Sequence, residues 1–401
     1  MDVIKSGGVS TPLGFRTAAV SADIKGNKTG KLDLGVLLSD VPCEVAGVFT
    51  RNMVKAAPVL ISQKIIGSPG ISGIIVNSGN ANACTGKIGL EDVSVITRHF
   101  EKVFKLPENS LLMSSTGVIG VRLPVERIIS RSEELFEKLD DSDEEFTKAI
   151  MTTDKFPKSV AVLVETESGA FVIGGCAKGA GMIAPSMATM LSFITTDAMI
   201  SKELLQKALD SAVEESFNRI TVDGDMSTND SVYLFANGFS GIAIQNEELY
   251  NKFYEGLRFV CLELAKMIVK DGEGATKLVK IQVKNAKSEE DAKVCAFKVG
   301  NSPLVKTMFF GNDPNWGRLL ASAGASLIEM DPENIDIYFD DLHYVSCSTI
   351  IDLSLESKVH DIMKKDSYTI TIDLNYGNFE YSIYTSDLTY DYVKINADYR
   401  T

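Results

Sequence analysis

Histidine is scarce in this sequence. His99, His343 and His360 are the three in 401 residues, and no two stand at metal-ligand spacing. That argues against a zinc site and for no metal at all. It also leaves a Ser-His-Asp or Cys-His relay without a motif-like histidine to serve it. The six cysteines (Cys43, Cys84, Cys176, Cys261, Cys295, Cys347) include no CxxC and no close pair. In a chain this long they read as reduced, buried thiols rather than a disulfide framework. No apolar run approaches the roughly 18 residues a membrane helix needs. The opening MDVIKSGGVSTPLGF has no apolar stretch of signal-peptide length, so the expectation is a soluble, cytoplasmic chain. Positive charge is in deficit, with 40 Lys and Arg against 54 Asp and Glu and a net charge of -14. Nucleic acid is thereby disfavoured as a partner, because phosphate binding wants a clustered basic face. Anionic small substrates are not, since one or two lysines in a pocket can hold a carboxylate.

What is present is a globular balance, 45% hydrophobic and 23% charged. The first 125 residues alternate short apolar runs with Gly, Asn and Ser: AGVFT at 46–50, SGIIVNSGNANACTG at 72–86, LLMSSTGVIG at 111–120. These read as strands feeding loops. From Pro124 to Met151 apolar residues recur at three- and four-residue spacing, which predicts one or two amphipathic helices. AVLVETE, AFVIGG and SFITT read as strands, and 201–217 and 246–271 as helices, the first capped by Ser201. Beyond Lys277, LVKIQVK, NIDIYFD, SYTITIDL and NFEYSIYTSDL alternate as half-buried strands do. NYGN between the last two predicts a hairpin, and 278–401 reads as a separate α+β unit.

The stretch from Lys178 to Leu191, KGAGMIAPSMATML, carries the most chemistry. Glycines at 179 and 181 allow backbone shapes closed to other residues, Pro185 stiffens the run, and a small residue, Ala188, precedes Thr189. A threonine hydroxyl is a poor nucleophile without a base. If the Ala188–Thr189 bond is cut, the freed α-amine lies beside its own hydroxyl. Its pKa of about 7.7–8.0 lets it act as that base near neutral pH. The cut could be autocatalytic, with the hydroxyl attacking the Ala188 carbonyl and water opening the resulting ester, helped by a strained turn. The same run also reads as an ordinary loop ahead of a buried strand. It is not a phosphate loop, because Lys178 is followed by Gly rather than Ser or Thr.

KGAGMIAPSMATML resembles the self-cleavage segment of the ornithine acetyltransferases, the bifunctional arginine-biosynthesis enzymes also called glutamate N-acetyltransferases. The resemblance continues along the chain through GGVSTPLGF, SDVPCEVAGVFTRN, VKAAPV, NSGNANACTG, SSTGVIG, TTD, NRITVDGDMSTNDS, DGEGATK, FGNDPNWGR and the closing NADYRT. It implies that Thr189 is the nucleophile and forms an acetyl-enzyme ester, and that Thr116 and Gly117 build the oxyanion hole. It further implies substrate contacts from Lys178, from a hydroxyl of the TTD block (Thr153 favoured over Thr152), from Glu273, and from the C-terminal pair Asn396 and Thr401. Lys178 suits a substrate carboxylate and Glu273 the ammonium of ornithine.

The implied reaction is ping-pong: N-acetylornithine acylates Thr189 and leaves as ornithine, then glutamate takes the acetyl group and leaves as N-acetylglutamate. No cofactor is implied, although some members of the family also accept acetyl-CoA as a substrate. The implied fold is α/β, an αββα layered sandwich resembling N-terminal-nucleophile folds, with a C-terminal α+β domain. The implied products of cleavage are an α chain (1–188) and a β chain, whose part 189–277 completes the core ahead of 278–401. Two of each chain would assemble. A rival on the same fold is a self-processed N-terminal-threonine aminopeptidase or amidase, in which water is the acceptor. A small-molecule-binding protein that never cleaves is the other.

Overall fold

A computed structural model describes residues 1–184 and 190–398. Nine of its strands form two stacked sheets joined through one long strand, Leu34–Phe49. The first half of that strand pairs antiparallel with Phe15–Val20 and Ile71–Asn77, and Leu111–Ser115 extends the sheet in parallel. Its second half pairs antiparallel with Ser231–Ala236. From there the second sheet runs through Leu191–Thr196, Gly169–Lys178, Lys158–Thr166 and Asp2–Val3. A register shift between Leu38 and Cys43 marks where the long strand passes from one sheet to the other.

Three cores lie between four layers. Helices Lys202–Glu214 and Glu247–Lys270 cover the outer face of the second sheet, burying Leu209, Phe253, Leu257 and Leu264 against Val162, Ile173, Ile194 and Leu234. The helix Gly86–Phe104, with short helices after it, covers the first sheet through Ile96, Phe100, Val36 and Met113. Between the sheets Leu37, Ile74, Phe193, Tyr233 and Phe235 interdigitate, with Tyr233 stacked on Phe193 at 6.0 Å. The architecture is the expected αββα sandwich. Strands such as Ser231–Ala236 and Leu191–Thr196 are buried on both faces. They therefore show no alternation of buried and exposed side chains, and in Leu191–Thr196 even Ser192, Thr195 and Thr196 are buried.

The rest of the chain builds a seven-stranded sheet backed by helices Glu289–Gly300, Pro303–Gly311, Trp316–Gly324 and Glu356–Met363. Leu278–Ala286 shows the alternation its sequence predicts, every second side chain buried at its start. The hairpin expected around NYGN does not form. Ser367–Asp373 and Phe379–Ser386 lie on opposite sides of Leu278–Ala286, parallel and antiparallel to it respectively. The turn between them crosses the end of that central strand instead. Leu374 N–H bonds the Lys284 carbonyl, Tyr376 and Gly377 N–H bond the Asn285 carbonyl, and a Cβ on Gly377 would stand 2.1 Å from the Ala286 oxygen. Alternation identifies strands but not their neighbours. Two further expectations shift. Residues 125–149 form three short helices, Val125–Ile129, Ser132–Glu137 and Glu144–Ala149. Cys84 and Cys347 are exposed, unlike the other four thiols, and both hold left-handed backbone conformations (φ 57° and 46°). Among the described residues no helix is long and apolar enough to cross a membrane.

Candidate active site

One cavity collects the candidate residues. Thr116 and Gly117 follow the strand Leu111–Ser115, Thr152 and Thr153 precede Lys158–Thr166, and Lys178 ends Gly169–Lys178. Glu273 follows the helix Glu247–Lys270, Asn396 stands on the last helix, Tyr390–Asp398, and all seven line that cavity. Ala188, Thr189 and Thr401 lie outside the described residues. No histidine lines the cavity.

Thr116 and Gly117 are held by a polar scaffold. Gly117 has φ +130°, and a Cβ there would lie 2.3 Å from the Gly79 carbonyl carbon and 2.5 Å from the Asn80 nitrogen. Only glycine permits two backbones to approach so closely. Thr116 N–H bonds the Asn77 carbonyl at 3.0 Å. Buried Asn77 accepts from the Ser115 hydroxyl at 2.6 Å and donates to the Asn80 carbonyl at 2.9 Å. Asn80 in turn donates to the Val121 and Arg122 carbonyls, and Asn229 donates to the Ala81 and Ser115 carbonyls, both at 2.7 Å. The asparagines of NSGNAN thus shape the loop that presents Thr116 and Gly117. Sequence spacing gave them no role beyond turns; a run of asparagines between two apolar runs was the available signal.

Lys178 is buried, 3% exposed, with Nζ 2.8 Å from Thr152 Oγ1, 3.3 Å from Thr116 Oγ1 and 4.0 Å from Asp154 Oδ2. Burial lowers its pKa, against the pull of Asp154. Both threonines of the TTD block reach the cavity, and Thr152 is the one bonded to Lys178. Asp154, absent from the sequence-derived set, organises the floor. It accepts from Lys158 Nζ at 2.8 Å, Gly179 N–H at 2.7 Å and Thr152 N–H at 2.9 Å. Burial works to raise its pKa, but Lys178 and Lys158 prevail and hold its carboxyl well below the usual range. Lys158 also bonds Asp271 at 2.5 Å. Two lysines and two aspartates thereby neutralise one another inside the protein.

The glycine-rich segment is fixed on both sides of 185–189. Gly179 N–H is held by Asp154, and the Ala180 carbonyl by Glu273 N–H at 2.8 Å. Asp223 accepts from Met182 N–H at 2.6 Å and Ile183 N–H at 2.8 Å, while the Ile183 carbonyl accepts from Val222 N–H. Met182 carries φ 58°, a left-handed conformation costly for a side chain of its size. A Cβ on Gly181 would stand 2.5 Å from the Glu273 carboxyl carbon, so this glycine leaves the carboxylate its place. Glu273 Oε2 accepts from Asn396 Nδ2 at 2.7 Å, tying the last helix to the site. Tyr392 on that helix donates to Asp223 at 3.3 Å. On the far side, Met190 N–H bonds Asp230 Oδ1 at 3.0 Å. Asp223 and Asp230 escaped sequence reading because an acid is solvated by default, and only the fold buries Asp230 and gives Asp223 its backbone partners.

Comparison with known proteins gives the family. Residues 16–401 match the model of the ArgJ family. An arginine biosynthesis bifunctional protein ArgJ of Geobacter sulfurreducens is 47% identical over 391 residues, covering 97% of this chain and 99% of its own. A glutamate N-acetyltransferase of Methanococcus maripaludis is 44% identical over 413 residues, covering 100% and 99%. A crystal structure of an ArgJ protein from Bacillus halodurans superposes with a TM-score of 0.50 at 42% identity, covering 53% of this chain and 100% of that one. A family match across nearly the whole length, with relatives this similar, means that the chain belongs to the ArgJ family.

Proposed function

We propose that this chain is a cytoplasmic glutamate N-acetyltransferase of arginine biosynthesis, one that cuts itself before Thr189 and passes acetyl from N-acetylornithine to glutamate through that threonine. The observation that carries the reading is the convergence of Thr116, Gly117, Thr152, Thr153, Lys178, Glu273 and Asn396, from widely separated stretches, on one cavity whose wall also includes Gly181 and Met182 of the segment leading to 189. The named relatives support the acetyl-transfer chemistry. Coverage supports the cut by its size alone: the whole Bacillus halodurans chain covers 53% of this one, as large a share as residues 189–401 make of the 401.

Each group has a task in this account. In maturation the Thr189 hydroxyl attacks the Ala188 carbonyl and the C–N bond breaks, freeing the α-amine; water then opens the ester, releasing the Thr189 hydroxyl and the Ala188 carboxylate. In turnover that amine takes the hydroxyl proton as oxygen attacks the acetyl carbon of N-acetylornithine. Thr116 Oγ1 and the Gly117 N–H receive the oxyanion, an interaction worth about 10²–10³ in rate per donor. Ornithine leaves with the proton. Glutamate then attacks the ester, and its amine proton passes by way of the α-amine to the Thr189 oxygen as that oxygen leaves, restoring the hydroxyl and the free amine. Lys178 offers the positive charge a substrate carboxylate needs, and Glu273 the negative charge for an ammonium. The Asn396 bond to Glu273 supports a site closed by the end of the chain.

The test is acceptor dependence. Release of ornithine from N-acetylornithine rises with added glutamate, and the acetyl group appears on glutamate. Release that ignores glutamate, with free acetate as product, would instead identify an amidase on this fold.

A further inference from the structure

The hydrogen bonds around Thr116 decide where its hydroxyl proton points. Thr116 is buried, 4% exposed, and lines the cavity. Its backbone is pinned from behind, with the N–H on the Asn77 carbonyl at 3.0 Å. What the backbone leaves open is the rotation of the hydroxyl. Lys178 Nζ stands 3.3 Å from Thr116 Oγ1 and 2.8 Å from Thr152 Oγ1. An ammonium has three donors and no acceptor, so both threonine oxygens must accept from it. Thr116 Oγ1 therefore keeps its own proton to give, and no acceptor for that proton stands among the described residues. A buried donor left without an acceptor is uncommon enough to need a reason.

Lys178 is held in place and kept charged from the floor of the site. Its Cα is fixed by strand pairing, Lys178 facing Leu191. Asp154 Oδ2 stands 4.0 Å from its Nζ, too far for a hydrogen bond but close enough for its field to act in a buried site. Burial lowers the Lys178 pKa and Lys158 adds to that, while Asp154, Asp230 and Glu273 favour the ammonium. We infer that Lys178 is the positioning residue of the oxyanion hole, its ammonium donating to Thr116 Oγ1 and so turning the Thr116 proton into the cavity. This rests on the proposed reaction and deepens it, since there Lys178 serves only a substrate carboxylate. A hydroxyl that accepts from a cation is also polarised into a stronger donor. Without the ammonium the hydroxyl turns freely, and only part of its population aims at the oxyanion.

A double-mutant cycle of Thr116→Val and Lys178→Met tests this, because Val keeps the shape of threonine without its hydroxyl and Met keeps the stem of lysine without its charge. Without Lys178, Asp154 still has Lys158 Nζ, Gly179 N–H and Thr152 N–H, so the fold should hold, and melting checks it. Intact mass gives the cut fraction to which each rate is referred. Thr116→Val is expected to lower kcat about 10²–10³-fold. Lys178→Met is expected to lower it about 10- to 100-fold, as for a misaligned group. The double variant should stay within about twofold of Thr116→Val alone. Losses that multiply in the double variant overturn the assignment. Lys178→Gln, neutral but still a donor, should lose less than Lys178→Met, and it takes that variant's place in the cycle if Lys178→Met does not fold. A donor without the carboxylate, N-acetyl-1,4-diaminobutane, gives a second reading. The fall in kcat/KM from Lys178→Met persists on it, at about 10-fold or more, if the lysine acts through Thr116. A fall confined to N-acetylornithine overturns the proposal. The parent chain separates the two levels, since a parent that moves no acetyl from N-acetylornithine to glutamate would remove the reaction itself, whatever the variants do.

Discussion

The two sheet systems of this protein are built from similar strands and use them differently. In the nine-stranded sandwich, strands such as Ser231–Ala236 are buried on both faces, and the loops at their ends hold buried Asn77, Asn80, Asp154, Lys178, Asn229 and Asp230. In the seven-stranded sheet, Leu278–Ala286 and Ser367–Asp373 alternate between core and surface, and the core is almost wholly apolar. The sandwich supplies most of the cavity wall. The second sheet sends to it the helix that follows its last strand in the chain, with Tyr392 and Asn396. Chemistry therefore sits where polar groups are buried in bonded networks, and the apolar unit serves as a platform that returns the end of the chain to the site. Damage to the two regions should separate into lost rate and lost stability.

The largest effect is expected at Gly117→Ala. The added methyl meets the Gly79–Asn80 backbone and the residue must hold φ +130°, so the loop shifts. A fall in kcat of about 10²–10³ follows if Gly117 lines the oxyanion hole. A near-normal kcat with the fold intact would detach this loop from the chemistry.

How much of this was legible follows the same division. The alternating strands of the second unit announce themselves, because half-burial writes a period of two into the sequence. Their order did not, since NYGN forms a turn whether the chain pairs with its neighbour or crosses the end of Leu278–Ala286. The site was legible as motifs, from Thr116 to Asn396, through family likeness. Its supports were not. Asp154, Asp223 and Asp230 look like any of the 54 acids until the fold sets them against backbone N–H groups, and the NSGNAN asparagines look like turn formers until their side chains are seen bonded to backbone.

Ile370→Ala sharpens the comparison from the other side. Ile370 is fully buried in the platform core, and its truncation should cost about 2–5 kcal/mol. Thermal melting should fall while kcat, measured on folded enzyme, holds. A selective loss of kcat at unchanged melting would blur the division of labour.

The smallest effect concerns pH. Lys306 is buried, with Nζ bonded to Thr385 Oγ1 at 3.0 Å and to Ser386. Burial brings its pKa down to about 7, against the attraction of Asp387 and Asp223. The unfolded chain keeps this proton until about pH 10.4. Between about 7 and 10.4 the unfolded state thus binds more protons, and this group's contribution to stability rises with pH. Melting at pH 7 and at pH 9 should show a rise in the parent chain relative to Lys306→Met. Parallel curves for the two would place the charged lysine in the folded state across that range.

The central claim is that Thr189 becomes an N-terminal nucleophile, and intact-mass measurement of the purified chain beside Thr189→Ala tests it most directly. Two fragments from the parent chain, breaking between Ala188 and Thr189, and a single uncut species from the variant are the predicted result. An uncut parent chain that still moves acetyl from N-acetylornithine to glutamate would contradict it.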